Sequence, residues 1–224
     1  MQYLKKLCLD FLFPQGNTCH ICDRGLEEKG ILCSQCLKRL DQLRLPADRI
    51  LLRSYPVVSG CMSVWTHAGE ARELVHQLKY GANAAAAIPL AEGMARVIAE
   101  KNAVIGQLDA VLPVPLHKRR LEDRGYNQAG ILAENLCGYT SLALMDDVLL
   151  RVRYAQSLVG SSRDERMAAM HEAFAIQSAT DLNGKRLLLV DDVFTTGATS
   201  MACARVLLEA GAKDVFVITA CRKE

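Results

Sequence analysis

The stretch that most constrains the fold is an apolar run that ends on two carboxylates and continues into a turn of small hydroxyl-bearing residues. The run covers residues 187–190, Asp191 and Asp192 follow it, and the turn covers residues 195–199. A continuous apolar run of this length is typical of a strand buried on both faces of a parallel sheet. The periodic stretch over residues 201–208 predicts a helix, so the turn should join a buried strand to a helix.

This turn has the chemistry of a phosphate site. Its members offer backbone N–H groups, hydroxyls and a glycine that can adopt a positive φ: Thr195, Thr196, Gly197, Ala198 and Thr199. N–H groups at a helix N-terminus bind anions, and the ligands of parallel sheets lie beyond the carboxyl ends of the strands. Asp191 and Asp192 would then accept hydrogen bonds from sugar hydroxyls or face a Mg²⁺ ion. The alternative is a solvated acid pair, as expected for Asp146 and Asp147, which precede no such turn.

Four cysteines near the N-terminus form two Cys-x2-Cys pairs: Cys19, Cys22, Cys33 and Cys36. Two such pairs can place four thiolates at the corners of a tetrahedron around a structural Zn²⁺. Residues 18–40 hold too few apolar side chains to fold by burial alone, so the metal would supply most of their folding free energy. The alternatives are a redox dithiol, disulfides, or a site in which His20 replaces one sulfur; a cytosolic setting argues against disulfides.

Length and composition predict a globular protein. A chain of 224 residues suits one ordinary domain with a small appendage, and a hydrophobic content of 50% is enough for a substantial core. The net charge of +2 gives no overall attraction to nucleic acid or membrane. No apolar stretch approaches the roughly 18 to 20 residues needed to cross a bilayer, and residues 1–13 do not resemble a signal peptide. We therefore expect a cytoplasmic protein without a membrane span.

Alternating apolar runs and helical periodicities over the rest of the chain predict an α/β domain with a parallel sheet. Further strands are expected at residues 61–66, 109–114 and 215–220, and helices at residues 70–79, 84–101 and 126–136. The predicted organisation is an N-terminal helix and four-cysteine zinc head over residues 1–45, a linker over residues 46–60 and the α/β domain over residues 61–224.

A second anion site is predicted where the strand over residues 109–114 ends. Lys118, Arg119 and Arg120 follow that strand, and Arg124 lies just before the next helix. Both buried strands should open on the same edge of the sheet, so these cations and the phosphate turn could hold the two ends of one polyanionic ligand. Taken singly, each basic residue could also belong to a solvated helix face.

The stretch over residues 187–199 closely resembles the signature of type I phosphoribosyltransferases, which bind 5-phosphoribosyl-1-pyrophosphate (PRPP). The resemblance implies that Asp191 and Asp192 contact the ribose hydroxyls and that the turn from Thr195 to Thr199 cradles the 5-phosphate. Further motifs extend the resemblance to the ComF family: the four cysteines, Leu78-Lys79-Tyr80-Gly81, Val114-Pro115-Leu116 and Arg124-Gly125-Tyr126-Asn127-Gln128. Membership would imply a phosphoribosyltransferase fold with a zinc-binding head, Mg²⁺ bound with PRPP, and a link to DNA uptake and natural transformation.

One segment departs from the family pattern. Between Arg151 and Phe174 the family often has Thr, Gln, Leu and Asn at four positions where this chain has Ala155, Leu158, Ser161 and Ala169. The segment is expected to form a cover over the ligand, so these departures bear on substrate choice and on turnover.

Two functions of different classes follow from the resemblance. In the first, a nitrogen nucleophile displaces pyrophosphate from C1 of PRPP, while Mg²⁺ and Lys118, Arg119 and Arg120 stabilise the leaving group. In the second, the same phosphate site serves a non-catalytic module that senses PRPP or a nucleotide, or handles single-stranded DNA alongside competence-machinery proteins. The acceptor is not identified by the sequence.

Overall fold

A computed structural model of the chain describes residues 18–28, 30–46, 51–52, 57–81, 83–153, 173–177 and 180–223. The N-terminal helix predicted before residue 18 lies outside the described residues. So do the four positions at which the chain departs from the family pattern.

The centre of the fold is a six-stranded sheet, which confirms the predicted α/β architecture. Its strands are β1 (Leu51–Leu52), β2 (Gly60–Thr66), β3 (Ala110–Pro113), β4 (Ala143–Leu144), β7 (Arg186–Phe194) and β8 (Asp214–Arg222). The spatial order is β1-β2-β8-β7-β3-β4, and every neighbouring pair is parallel except β1 with β2. Strand β1 lies within the stretch predicted as a linker, so two residues of that stretch are part of the sheet.

Helices cover both faces of this sheet. They are α1 (Ser34–Gln42), α2 (Gly69–Tyr80), a 3-10 turn (Ala84–Ala86), α3 (Ala87–Ile105), α4 (Lys118–Arg124), α5 (Gln128–Thr140) and α6 (Ala198–Glu209). Side chains of α2, α3 and α5 pack in one apolar cluster, and α6 packs in the other with an antiparallel pair, β5 (Leu149–Arg151) and β6 (Phe174–Ile176). Each fully buried leucine of these clusters contributes about 1.5–3 kcal/mol, which fixes the helices against the sheet.

Strand β7 is longer than its apolar run. The apolar run ends at Val190, which is the last residue of β7 in register with β3, opposite Pro113. On its other side β7 stays paired with β8 as far as Phe194, opposite Arg222. Asp191 and Asp192 therefore lie inside a strand that has lost its β3 neighbour, which leaves room for a ligand on that side.

The chain leaves β3 and β7 in opposite directions. After β3 it passes through α5 to β4, whereas after β7 it passes through α6 to β8 on the other side. The crevice between the carboxyl ends of two such strands is the usual ligand site of parallel sheets. Both predicted anion sites follow these two strands.

Candidate functional site

The turn after β7 enters the N-terminus of α6 through Gly197, which has a positive φ that other residues adopt only with strain. Gly197 is the N-cap of α6 with φ of 76°, and as a glycine it has no side chain with which to cap the helix. A Cβ at this position would lie 2.6 Å from Cζ of Phe194, so the backbone is packed directly on that ring. The first N–H groups of a helix have no intrahelical partner. The N–H of Ala198 donates to Oγ1 of Thr196 at 3.4 Å, and the turn presents its amides beside the exposed side chains of Thr195 and Thr196.

The two acids at this edge reach towards different helices. Asp192 Oδ1 lies 2.9 Å from Nζ of Lys79, at the end of α2. Asp191 accepts a hydrogen bond of 2.8 Å from the backbone N–H of Asp192. Burial raises the pKa of the Cys203 thiol on α6, and the charge of Asp191 raises it further. Because successive residues of a strand point to opposite faces, the acids flank β7 from both sides.

Asp191 is the group whose ionisation is most strongly altered by this arrangement. Burial first, and repulsion from Asp192 second, raise the pKa of Asp191 to about 7, against smaller opposing effects of Lys79 and Arg151. A carboxyl group in this state is stabilised in its ionised form by a cation or by hydroxyl donors. The edge of β7 therefore suits a sugar diol or a divalent cation.

Lys79 is a site residue that the sequence did not assign. It belongs to the stretch that carries part of the family resemblance, but its contact with Asp192 depends on how α2 crosses the sheet. The neighbouring Tyr80 lies 5.3 Å from the guanidinium carbon of Arg124, and that guanidinium also donates a 2.8 Å hydrogen bond to Gln128 Oε1. The predicted site residue Arg124 thus packs at the end of α2.

The basic residues after β3 lie where the sequence placed them along the sheet, but on a helix. Lys118, Arg119 and Arg120 form the first turn of α4, and their side chains are exposed. The N–H of Arg119 donates to Nδ1 of His117, which caps this short helix, and Lys118 Nζ lies 4.0 Å from Glu122. These cations follow β3, the strand beside β7, and their side chains are exposed; that they face the crevice stays a prediction.

The ends of the predicted cover lie beside the acids. Arg151 is paired with Phe174 across β5 and β6, and the backbone N–H of Val152 donates to the carbonyl of Ala173 at 2.8 Å. The guanidinium carbon of Arg151 lies 5.4 Å from the centre of the Phe174 ring. The charge of Arg151 also lowers the pKa of Asp191, so the small sheet of β5 and β6, which flanks the predicted cover, lies near the candidate site.

The four predicted cysteines come together. Their Sγ atoms all lie within 4.8 Å of one another, and Cys22 and Cys33 are 3.7 Å apart. Four thiolates that bind Zn²⁺ at about 2.3 Å in a tetrahedron would lie about 3.8 Å apart. His20 is not a member of this cluster, and its Nδ1 lies 3.0 Å from Nδ2 of Asn83. The cluster is therefore compatible with a structural zinc bound by four sulfurs.

The electrostatics of the cluster also suit a cation. Burial raises the pKa of Cys19, but backbone N–H groups of Cys33, Ile21 and Cys22 lower it to about 6 overall. Burial raises the pKa of Cys36 to about 12, although Arg39 Nη2 donates a hydrogen bond of 3.2 Å to its sulfur. Although the pKa values of these thiols differ, one bound divalent metal would hold all of them in the thiolate form.

The cysteine cluster docks on α2, the helix that carries Lys79. Gln77 Nε2 donates a 2.6 Å hydrogen bond to the carbonyl of His20 inside the first Cys-x2-Cys pair. Arg39 Nε, on α1, lies 2.5 Å from Glu70 Oε1 at the start of the same helix. The head is thus fixed to the element that delivers a cation to Asp192.

In the part of the chain that the structure describes, no helix combines the length and the apolar character that a membrane crossing requires.

Comparison with known proteins finds a family match over residues 121–224 and relatives that match most of the chain. A family described as the phosphoribosyl transferase domain matches residues 121–224. DNA utilization protein YhgH of Salmonella typhi is 30% identical over 206 residues, which cover 91% of this chain and 89% of that protein. Competence protein ComFC of Bacillus subtilis is 28% identical over 200 residues, which cover 88% of this chain and 73% of that protein. Competence protein F of Haemophilus influenzae is 32% identical over 110 residues, about half of each chain.

Proposed function

Since the chain belongs to the ComF family of competence and DNA-utilization proteins, we propose that it binds PRPP with Mg²⁺ in the crevice between β7 and β3. There it transfers the phosphoribosyl group from pyrophosphate to a nitrogen acceptor, in the cytoplasm and in support of DNA uptake. The observation that carries the proposal is the turn at Gly197, whose amides and neighbouring acids match the two ends of a ribose 5-phosphate.

Each part of PRPP has a counterpart at the crevice. The turn from Thr195 to Thr199 would bind the 5-phosphate through backbone N–H groups and hydroxyls. Asp191 and Asp192 would accept hydrogen bonds from the ribose hydroxyls, and the cations of α4 would face the pyrophosphate. Anchoring both ends restricts the position of C1, which lowers the entropic cost of reaction.

The reaction needs no nucleophile from the protein. A lone pair of the acceptor nitrogen forms the bond to C1, and the bond from C1 to the pyrophosphate oxygen breaks with its electrons leaving on pyrophosphate. The acceptor nitrogen then loses a proton to water. Lys118, Arg119 and Arg120 would stabilise the charge that develops on the leaving group.

The donor set of the crevice fits Mg²⁺. A carboxyl with a pKa near 7 beside a second carboxylate is relieved of repulsion when a divalent cation or its bound water approaches. Asp191 and Asp192 would orient the ion and its waters, and Mg²⁺ when bound would neutralise charge on the pyrophosphate oxygens.

We also propose that the four cysteines bind a structural Zn²⁺. A chelator strong enough to remove zinc should increase hydrogen exchange over residues 18–40 and leave the protection of β7 and β8 largely intact, because the sheet has its own apolar core. Exchange over residues 18–40 that does not change after verified metal removal would contradict this role.

The proposed function is tested by a pyrophosphate-release assay with Mg²⁺ and PRPP across a panel of nitrogen acceptors. Release that depends on one acceptor, and that is lost in the Asp191→Asn/Asp192→Asn variant, would establish the transferase. PRPP binding without release for any acceptor would instead favour the sensor or the DNA-handling module. Failure to bind PRPP would contradict the proposal as a whole.

A further inference from the structure

A cationic cavity lies beside the proposed PRPP site, on the far side of β7 from the basic helix. Its volume is about 580 Å³, and the carboxyl ends of β2 and β8 and one face of α2 line it. Four of its lining residues are cations: Arg72, Lys79, Arg222 and Lys223. Cavities of roughly 300–1,000 Å³ are typical of small-molecule sites.

No lining residue of the cavity carries a carboxylate. Within the described residues, the ion pair of Lys79 with Asp192 is the only contact of the four cations with an acid. Arg222 is only 8% exposed, and its Nη1 has no hydrogen-bond partner. Burying the Arg222 guanidinium with a donor group unpaired is costly unless an anion is available to it, and three further cations lie in the same recess. The charge of the lining therefore selects a negatively charged occupant.

These cations also affect the pKa of His67, which lines the same cavity. Burial lowers the pKa of His67, and repulsion from Lys223, Lys79 and Arg72 lowers it further. The backbone N–H of His67 donates to the carbonyl of Arg222 at 2.9 Å, which holds the imidazole beside the cations. The placement of the cations around His67 therefore makes the electrostatic potential in the cavity positive.

Aromatic groups line the same cavity. The rings of His76 and Tyr80 lie 5.1 Å apart at the surface of α2, and Tyr80 is 68% exposed. Flat faces beside cations favour a planar, anionic ligand, since rings stack on rings and guanidinium groups pair with carboxylates. A small aromatic acid matches both features.

The place of the cavity along the sheet gives this ligand a role. The strand order puts β8 and β2 on one side of β7 and β3 on the other. The basic helix α4, which would hold the leaving pyrophosphate, follows β3, whereas the cavity lies at β8 and β2. Neighbouring strands are about 4.8 Å apart, so the cavity is within reach of a ribose held at β7. An incoming nucleophile on one side and the leaving group on the other is the geometry of a displacement at C1.

We propose that this cavity binds the acceptor, and that the acceptor is a planar nitrogen compound with a carboxylate. The inference rests on the proposed function. The carboxylate would pair with Arg72 and Lys223, the ring would lie along His76 and Tyr80, and the nitrogen would face C1 of PRPP near Lys79.

The test compares acids with matched neutral compounds on the full, zinc-loaded chain. The probes are nicotinate against nicotinamide, orotate against uracil, and anthranilate against aniline, with binding measured by calorimetry. We expect the acid of at least one pair to bind more than about tenfold tighter than its neutral partner, which corresponds to about 1.4 kcal/mol. The Arg72→Gln/Lys223→Gln variant should reduce that preference to less than about twofold.

Lys213→Gln provides the control, because Lys213 is exposed just before β8, at the opposite edge of the sheet. It should keep the acid preference. Both Arg72 and Lys223 are exposed as well, so their removal should leave the fold intact, which thermal unfolding checks. The proposal is wrong if no acid binds more tightly than its neutral partner, or if the Arg72→Gln/Lys223→Gln variant keeps the preference.

Two further readings separate this proposal from the proposed function. PRPP affinity of the Arg72→Gln/Lys223→Gln variant should stay within about twofold of the wild type, since neither residue is placed at the PRPP crevice. Absence of PRPP binding in the wild type would contradict the proposed function and the acceptor role together, whereas absence of acid preference with normal PRPP binding contradicts the cavity alone. Tight binding of a ten-residue oligothymidylate, weakened by Arg72→Gln/Lys223→Gln without any acid preference, would assign the cavity to single-stranded DNA.

Discussion

The turn after β7 and the helix after β3 are both predicted anion sites, and they differ in the kind of group that each offers to a ligand. The turn offers backbone amides fixed by Gly197 and by its packing on Phe194, whereas α4 offers long exposed side chains. A fixed amide loses little entropy when it binds, while an exposed lysine or arginine must be ordered and is screened by salt. The turn should therefore determine whether a phosphate group binds. The helix should determine how much a second phosphate group adds to the affinity.

The largest effect is expected from a glycine substitution in the turn. Gly197→Ala places a Cβ 2.6 Å from the Phe194 ring at a φ of 76°. We expect a loss of about 3 kcal/mol in the free energy of unfolding and a loss of PRPP affinity of more than about 100-fold. Chemical denaturation and calorimetry measure the two quantities.

The helix after β3 provides the matched control for that substitution. Gly125, which ends α4, has φ of 78°, but no atom lies within 4 Å of a Cβ built there. Gly125→Ala should cost about 1 kcal/mol of stability from backbone strain alone and leave PRPP affinity within about threefold. Equal effects of the two substitutions on PRPP affinity would remove the distinction between the two regions.

A smaller effect is expected when the charge of α4 is removed. The Lys118→Gln/Arg119→Gln/Arg120→Gln variant should lose PRPP affinity by about 30-fold at low salt, because three exposed cations contribute about 0.7 kcal/mol each. Affinity for ribose 5-phosphate, which has no pyrophosphate, should stay unchanged. A similar loss for both ligands, or a loss that does not shrink as salt is added, would show that α4 acts on the turn and not on pyrophosphate.

The acids of β7 predict a pH dependence of about tenfold. Because the pKa of Asp191 is raised to about 7, the fraction of free protein with this group ionised rises from about 0.1 at pH 6 to about 0.9 at pH 8. PRPP with Mg²⁺ requires the ionised group, so affinity should rise over this range, and more steeply than in Asp191→Asn. The same raised pKa means that stability present below pH 4 is lost as pH rises through 7. An Asp191→Asn protein with an identical pH profile of affinity and of unfolding would contradict the assignment.

The smallest effect is expected at the end of α4. Arg124→Gln removes the hydrogen bond to Gln128 and the contact with the Tyr80 ring. These are partly exposed interactions, so we expect less than about 1 kcal/mol of lost stability and less than about threefold of lost PRPP affinity. A loss above tenfold would place Arg124 in direct contact with the ligand.

The sequence predicted most of the elements but not the contacts between distant ones. The four-cysteine cluster, the parallel sheet and the turn at Gly197 follow from spacing and local periodicity, which are short-range signals. The extension of β7 to Phe194 depends on pairing with β8, which continues after β3 has ended. A polar residue such as Asp191 resembles the end of a strand in the sequence, because the sequence pattern shows hydrophobicity but does not show which strands pair.

Lys79 and the cationic cavity show the same limit more strongly. Arg72, Lys79 and Lys223 come from opposite ends of the α/β domain, and each alone resembles an ordinary surface residue. Only the crossing of α2 over the carboxyl ends of β2 and β8 brings them together. Likewise, the docking of the cysteine head depends on Gln77 and Asn83, which contact His20 across the chain and give no local signal.

The claim that the turn after β7 is the phosphate site is tested most directly by amide chemical shifts during a titration with ribose 5-phosphate. We expect large, saturable shifts at the backbone N–H groups of residues 195–199, with the turn responding before any residue of α4. Shifts confined to residues 118–124, or saturation without any change between Thr195 and Thr199, would contradict it.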